Sequence, residues 1–126
     1  MKEFDIIIIG GGLSGSSAAL NLSKKGYSVL VIEKEALQDF KPCAGGMASS
    51  MKKYLQLDIS KAIESKIKSV EFRWKGTDNV FADLTGESPF WIIRREKLDQ
   101  LLLDESLSNG VQIIRPLLVK KIQKKK

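Results

Sequence analysis

The sequence predicts an α/β chain that opens with a parallel strand–helix–strand unit and later turns to antiparallel strands. Three observations predict it. The apolar run Ile6-Ile7-Ile8-Ile9 has the length and branching of a buried strand and leads straight into Gly10-Gly11-Gly12-Leu13-Ser14-Gly15. A helical stretch from Leu13 to Lys25 stops at Gly26, and Val29-Leu30-Val31-Ile32 makes a second strand closed by Glu33. From Val70 to Lys75 the apolar residues alternate strictly with polar ones, which is the period of a half-buried strand.

The glycine run fits G-x-G-x-x-G, the fingerprint of a Rossmann-like dinucleotide-binding unit. Gly10 permits the tight turn, Gly12 lets the backbone approach a pyrophosphate, and Gly15 lets the helix lie close to the strand. The helix is small on its predicted sheet-facing side, at Gly15, Ala18 and Ala19. Its first amides, around Leu13, Ser14 and Gly15, point at the phosphates, where unpaired N–H groups and the helix dipole favour an anion. Lys24 and Lys25 suit the opposite end of that dipole. Glu33 follows Gly15 by 18 residues, with Lys34 beside it. A carboxylate there accepts from an adenosine ribose hydroxyl and repels a ribose phosphate, so the site favours FAD or NAD over NADP. The competing reading is a strand–helix–strand unit whose glycines serve only for turning.

A chain of 126 residues with 43% hydrophobic content can furnish a domain core. No stretch reads as a secretory signal, and none approaches the roughly 18 apolar residues of a membrane span. The single cysteine, Cys43, excludes an internal disulfide framework and suits a cytoplasmic setting. The absence of histidine removes Ser-His-Asp and Cys-His catalysis, and no metal site is predicted. The net charge of +6 comes from six basic residues between Arg115 and Lys126; residues 1–114 balance 15 basic against 15 acidic groups. Such a tail can meet phosphate or an anionic membrane, or simply solvate the end. Without a basic face and aromatic platforms, nucleic-acid binding is not expected.

Beyond Glu33 the chain reads as a polar connection over 35–41 and then Lys41-Pro42-Cys43-Ala44-Gly45-Gly46-Met47, a loop near the carboxyl ends of the strands. Taken alone, Cys43 is a small thiol among glycines, whose pKa Lys41 lowers if the two point the same way. Helices are predicted over 48–57 and, with Ser60 as cap, over 59–67. Val70, Phe72 and Trp74 read as the buried face of a strand, Gly76 to Asn79 as turn, and 80–84 as the return strand. Phe90 to Ile93 is a further strand leading into a helix striped by Leu98, Leu101, Leu102 and Leu107, with Glu96 and Asp99 suited to its first turn. Asn109-Gly110 ends that helix, 111–114 is a strand, and 117–122 begins another.

The fingerprint followed by K-P-C-x-G-G resembles the start of the geranylgeranyl reductase family, FAD-dependent flavoproteins that saturate isoprenoid double bonds. Members usually carry Cys-Gly-Gly-Gly, and this chain has Ala44 in place of the first glycine. The resemblance implies that Cys43, Ala44, Gly45 and Gly46 run beside the flavin ring and substrate tunnel, with Cys43 at the reactive side. It places the strand after Gly110 parallel beside the one ending at Glu33, and residues 68–93 as an antiparallel insertion towards a substrate domain. Matching Leu98-Asp99 to the family's Leu/Phe-Asp-x-x-Leu helix makes Arg95 the arginine that holds the cofactor, with Arg94 as the alternative.

By the same resemblance the cofactor is FAD and the substrate an isoprenoid lipid or pigment, reached by peripheral membrane contact. The electron donor stays open among NADPH, NADH and ferredoxin. The family is several hundred residues long, so the chain is expected to be an N-terminal piece of a larger enzyme. A related FAD-dependent monooxygenase, halogenase or quinone-linked reductase shares the first unit, as does a non-catalytic dinucleotide-binding fragment. The oligomeric state is not encoded in these motifs.

Overall fold

The computed structural model describes residues 3–36, 42–86 and 89–123. The chain divides into two compact units, Met1–Phe40 with Glu96–Lys126, and Lys41–Arg95. Among the described residues no helix is long and apolar enough to cross a membrane.

In the first unit, strand β1 (Ile6–Ile9) leads into helix α1 (Leu13–Ser23) and strand β2 (Val29–Ile32). Helix α3 (Arg95–Ser108) and strand β8 (Gln112–Ile114) return to the same unit, and the elements between belong to the second. The sheet is parallel with the order β1-β2-β8, pairing Ile6 with Val29 and Leu30 with Gln112. This is the neighbour that the resemblance implies for the strand after Gly110. Ala19, Val29, Val31 and Val111 form the core, with Ile6, Ile8, Leu22 and Ile113 packed against it. Each fully buried valine there contributes about 1.5–3 kcal/mol. Gly110, at φ +83°, lets the chain turn out of α3, and Val111 N–H donates back to Ser106 O.

Several expectations change in this unit. Strand β1 is buried on one face only, with Ile7 56% and Ile9 54% exposed. Helix α1 stops at Ser23 and buries Ser16, Ala19 and Leu20, whereas Ala18 faces solvent. The α3 stripe is Leu98, Leu102 and Leu103 with Leu101 half-buried, and Leu107 is exposed. Small changes in helix phase suffice for this, because residues three and four apart share a face. No strand forms over 117–122; Leu117 N–H instead donates to Glu33 O, and Leu118 and Ile122 are exposed.

The starts of β1 and β2 are clasped by one carboxylate. Asp5 Oδ2 accepts from Ser28 N–H at 2.8 Å and from Ser28 Oγ at 2.7 Å, and Asp5 N–H donates to Ser28 Oγ. These bonds, from the Ser28 hydroxyl first and its amide second, hold the Asp5 carboxyl below its ordinary value of 3.8. A folded-state pKa below the unfolded one gives stability that is present above that ordinary value and lost as the pH falls through the folded pKa. Asp5→Asn is therefore expected to lower the melting temperature at neutral pH, with the gap from wild type closing in acid. A gap of constant size across the acid range would exclude the clasp as its cause.

The second unit contains strand β3 (Gly46–Ala48), a 3-10 turn at Ser49–Met51, the single-turn helix α2 (Lys52–Leu55) and a 3-10 turn at Ser60–Ala62. Strands β4 (Ile63–Ile67), β5 (Ser69–Trp74), β6 (Asp78–Asp83) and β7 (Phe90–Ile93) follow. Strand β7 is central in an antiparallel sheet ordered β3-β7-β4, while β5 and β6 form a separate hairpin.

The helix expected over 59–67 is thus a 3-10 turn followed by a strand. Arg94 N–H donates to Ala62 O, and β4 pairs along β7 with a bulge between Ile63 and Ser65. Ile63, Ile67 and a β-branched partner strand favour extended backbone over one short helical stripe. Ser60 caps no helix; its amide and hydroxyl both donate to Asp58 Oδ1. The predicted helix over 48–57 contracts to the turns at Ser49–Leu55 because β3 claims Met47 and Ala48 for pairing with β7. The hairpin forms, but its turn is centred on Lys75 and Gly76, at φ +49° and +77°, a pair of positive values suited to the twist of a hairpin. Its aromatic residues are not core: Phe72, Trp74 and Phe81 are all exposed.

Candidate functional site

The glycine loop between β1 and α1 is built by backbone contacts. Gly10, at φ +101°, turns the chain while its N–H donates to Ile32 O of the neighbouring strand. A Cβ on Gly15 would lie 1.9 Å from Gly10 O, so only glycine lets the helix start this close to the turn. Ser16, buried, donates from its hydroxyl to Gly11 O at 2.8 Å and ties the loop to the first helical turn. Ser106 of α3 in turn donates to Ser16 O at 3.2 Å. No local pattern marks Ser16 or Ser106, because their partners are set by how the helices pack.

Glu33 stands just past β2 and reaches into this loop. Its Oε2 accepts from Gly11 N–H at 2.5 Å and its Oε1 from Glu35 N–H at 3.0 Å. The second glycine of the run, which the pattern leaves unassigned, is thus the carboxylate's partner, and a Cβ on Gly11 would sit 3.3 Å from Glu33 Cβ. Two amides thus orient the Glu33 carboxylate at the glycine loop. Lys34 is exposed and ion-paired with Glu35 at 3.4 Å.

Helix α1 begins with Gly12 as its N-cap, with no side-chain cap and no acidic residue in its first turn. The first helical bond runs from Ser16 N–H to Gly12 O. The amides of Leu13, Ser14 and Gly15 therefore precede the ladder and have no intrahelical acceptor. Gly10, Gly11, Gly12, Gly15 and Glu33 are together at one end of the parallel sheet.

In the second unit, Cys43 is exposed and its Sγ accepts from Gly45 N–H at 3.4 Å. Gly45, at φ +74°, is fastened to β7 by the bond from Ile93 N–H to Gly45 O at 2.8 Å. A Cβ on Gly45 would meet Ile93 O at 2.3 Å, and one on Gly46 would meet the Phe90 ring at 2.7 Å. The two glycines thus let the loop lie flat on β7, with Ala44 exposed beside Cys43. Lys41, the residue expected to tune the thiol, lies outside the described residues. Trp91, on β7 opposite Met47, buries its indole N–H without a partner among the described residues.

Arg94 forms a 3.5 Å ion pair with Glu64, and Arg95 opens α3 half-buried. Of the two acidic residues suited to the first turn of α3, only Glu96 stands in it; Asp99 lies further along and is only 3% exposed. Among the described residues no cluster of His, Cys, Asp or Glu suits a metal ion.

Residues 5–55 match the family model described as FAD dependent oxidoreductase. The chain is 29% identical over 119 residues to the digeranylgeranylglycerophospholipid reductase of Sulfolobus acidocaldarius, covering 90% of this chain and 26% of the reductase. It is 30% identical over 118 residues to the 1H-pyrrole-2-carbonyl (peptidyl-carrier protein) brominase of Pseudoalteromonas luteoviolacea, covering 88% of this chain and 28% of the brominase. Among solved structures, a geranylgeranyl bacteriochlorophyll reductase-like protein of Thermoplasma acidophilum superposes with a TM-score of 0.77 over 87% of this chain and 29% of its own. At 21% identity that likeness speaks to the fold alone.

The chain spans less than a third of the length of the curated relatives it matches. A helix start without a side-chain cap and a carboxylate oriented at the glycine loop fit the cofactor that this similarity implies. The chain has the Rossmann-like α/β fold of FAD-binding proteins, and its residues 5–55 carry the similarity to FAD-dependent oxidoreductases.

Proposed function

We propose that the chain supplies the FAD-binding part of an oxidoreductase that reduces isoprenoid carbon–carbon double bonds. The observation that carries the cofactor assignment is Glu33, oriented by Gly11 N–H at the glycine turn. In this reading Glu33 accepts from the adenosine ribose hydroxyls, and the amides of Leu13, Ser14 and Gly15 hold the pyrophosphate at the start of α1. Arg95 adds a fixed guanidinium fork for anionic or carbonyl oxygens of the cofactor. When bound and reduced, flavin supplies a hydride to the alkene. In this reading residues 43–46 run beside the flavin ring, as the geranylgeranyl reductase pattern implies, with Cys43 towards the reacting side. The electron donor (NADPH, NADH or ferredoxin) and peripheral contact with the lipid surface belong to the same proposal.

A halogenase reading rests on the brominase similarity, 30% against 29% for the reductase. The Cys43-Ala44-Gly45-Gly46 loop favours the reductase, because it is the feature that this chain shares with the geranylgeranyl reductase pattern. The test has two steps. Titrating the purified chain with FAD is expected to give the structured visible spectrum of bound flavin; a spectrum identical to free FAD overturns the cofactor assignment. Fused to the remaining length of the Sulfolobus reductase, the chain is then expected to support anaerobic saturation of a geranylgeranyl lipid with dithionite as donor. A fusion that binds FAD yet forms only peroxide, oxygenated or halogenated products overturns the reductase assignment.

A further inference from the structure

The hairpin β5–β6 presents a self-complementary edge. Among the described residues its two strands pair only with each other, from Ser69 with Asp83 to Trp74 with Asp78. The bond from Leu84 N–H to Lys68 O sets the phase of the ladder. Backbone groups of residues 68, 70, 72 and 74 turn towards β6, and those of Ser69, Glu71 and Arg73 turn outward, since pairing alternates along an antiparallel strand. One face of the hairpin carries Val70, Phe72 and Trp74, with Ala82 and Val80 opposite; Phe72 is 61%, Trp74 69% and Val80 61% exposed. The other face carries Glu71 and Arg73, joined in an exposed bidentate ion pair at 2.8 and 2.9 Å, with exposed Phe81 opposite Glu71.

We propose that a second copy of this chain adds to this edge, antiparallel, about a two-fold axis through Phe72. In that register Glu71 lies opposite the copy's Arg73 and Arg73 opposite the copy's Glu71. Both are outward-turned residues, so each such pair exchanges two main-chain hydrogen bonds. Phe72 meets the copy's Phe72 in the closer, non-bonded spacing, and Val70 meets the copy's Trp74. The result is a four-stranded sheet with the Val70, Phe72 and Trp74 rows of both copies side by side on one face and two reciprocal charge pairs on the other.

Charge complementarity selects this register. An axis through Glu71 would set two carboxylates against each other, and one through Arg73 two guanidinium groups. Like charges directly opposite oppose pairing. An exposed strand edge beside a row of large apolar side chains is also the kind of surface on which chains associate.

Sedimentation equilibrium over a range of protein concentrations tests the proposal. Wild type is expected to show a reversible dimer. Glu71→Arg and Arg73→Glu are each expected to weaken it by about tenfold or more, because two attractive cross-strand pairs become repulsive. An equimolar mixture of the two single variants is expected to regain the dimer, as is the double variant E71R/R73E, in which every facing pair is again opposite in charge. Recovery in the mixture also shows that the single variants are folded. A monomer at all concentrations overturns the proposal, leaving the edge to another occupant such as a lipid surface. A dimer indifferent to single reversals, or one that neither mixture nor double variant restores, overturns it equally.

Discussion

Gly15→Ala is expected to abolish FAD binding and to lower the melting temperature by several degrees. The added Cβ would lie 1.9 Å from Gly10 O and 3.0 Å from Gly10 C, and the obstacle is backbone, not the tip of a flexible side chain. Either α1 tilts away from β1 or the turn at Gly10 opens. Both displace the amides that precede the helical ladder, and forced overpacking of this kind costs about 1–3 kcal/mol in stability. Flavin titration and thermal melts of the same preparation separate the two effects. Gly26→Ala is the control: at φ +90° with nothing within 4 Å of the new Cβ, it is strained by its backbone alone and far from the loop's close approach. It is expected to cost some stability and leave flavin binding intact. Equal loss of binding in both variants would show that global destabilisation, not the Gly10–Gly15 approach, governs the site.

Substitution of Glu33 has the second largest expected effect. Glu33→Ala removes the acceptor for Gly11 N–H and the proposed ribose acceptor together. A hydrogen bond to a charged group contributes about 1.5–3 kcal/mol, so FAD affinity is expected to fall at least about tenfold. Glu33→Gln keeps one carbonyl oxygen for Gly11 but replaces the other acceptor with a donor. It is expected to preserve the melting temperature better than alanine while still weakening FAD. Unchanged affinity in both variants would remove Glu33 from the binding site; a loss with alanine that glutamine fully repairs would make it a loop-orienting residue that does not touch the ribose.

Gly15 and Glu33 differ in how far the sequence alone specifies their contacts. The fingerprint names Gly15 as the residue of close packing, and the structure supplies the atom it packs against, Gly10 O. For Glu33 the pattern names a ribose acceptor, but the bond to Gly11 is a contact 22 residues apart in sequence that no local pattern encodes. Ser16 and Ser106 were invisible for the same reason: their partners are set by how α1 meets its own loop and α3.

What the sequence determined alone is the strand–helix–strand unit of β1, α1 and β2. There local preferences agree: β-branched runs of strand length, glycine where the backbone needs positive φ or close approach, and a glycine stop. The hairpin turn at Lys75-Gly76 is legible in kind for the same reason, shifted by the two positive φ values it requires. Tertiary structure decided the rest. Residues 63–67 carry an apolar spacing that suits one helical turn or a strand, and the availability of β7 as a hydrogen-bonding neighbour made them a strand. Which apolar residues are covered was likewise undecided by pattern: Phe72, Trp74, Ile7 and Leu107 have the composition of core and stand exposed. Periodicity tells which side chains share a face, but burial needs a second surface to meet that face, and such a surface comes from residues distant in sequence.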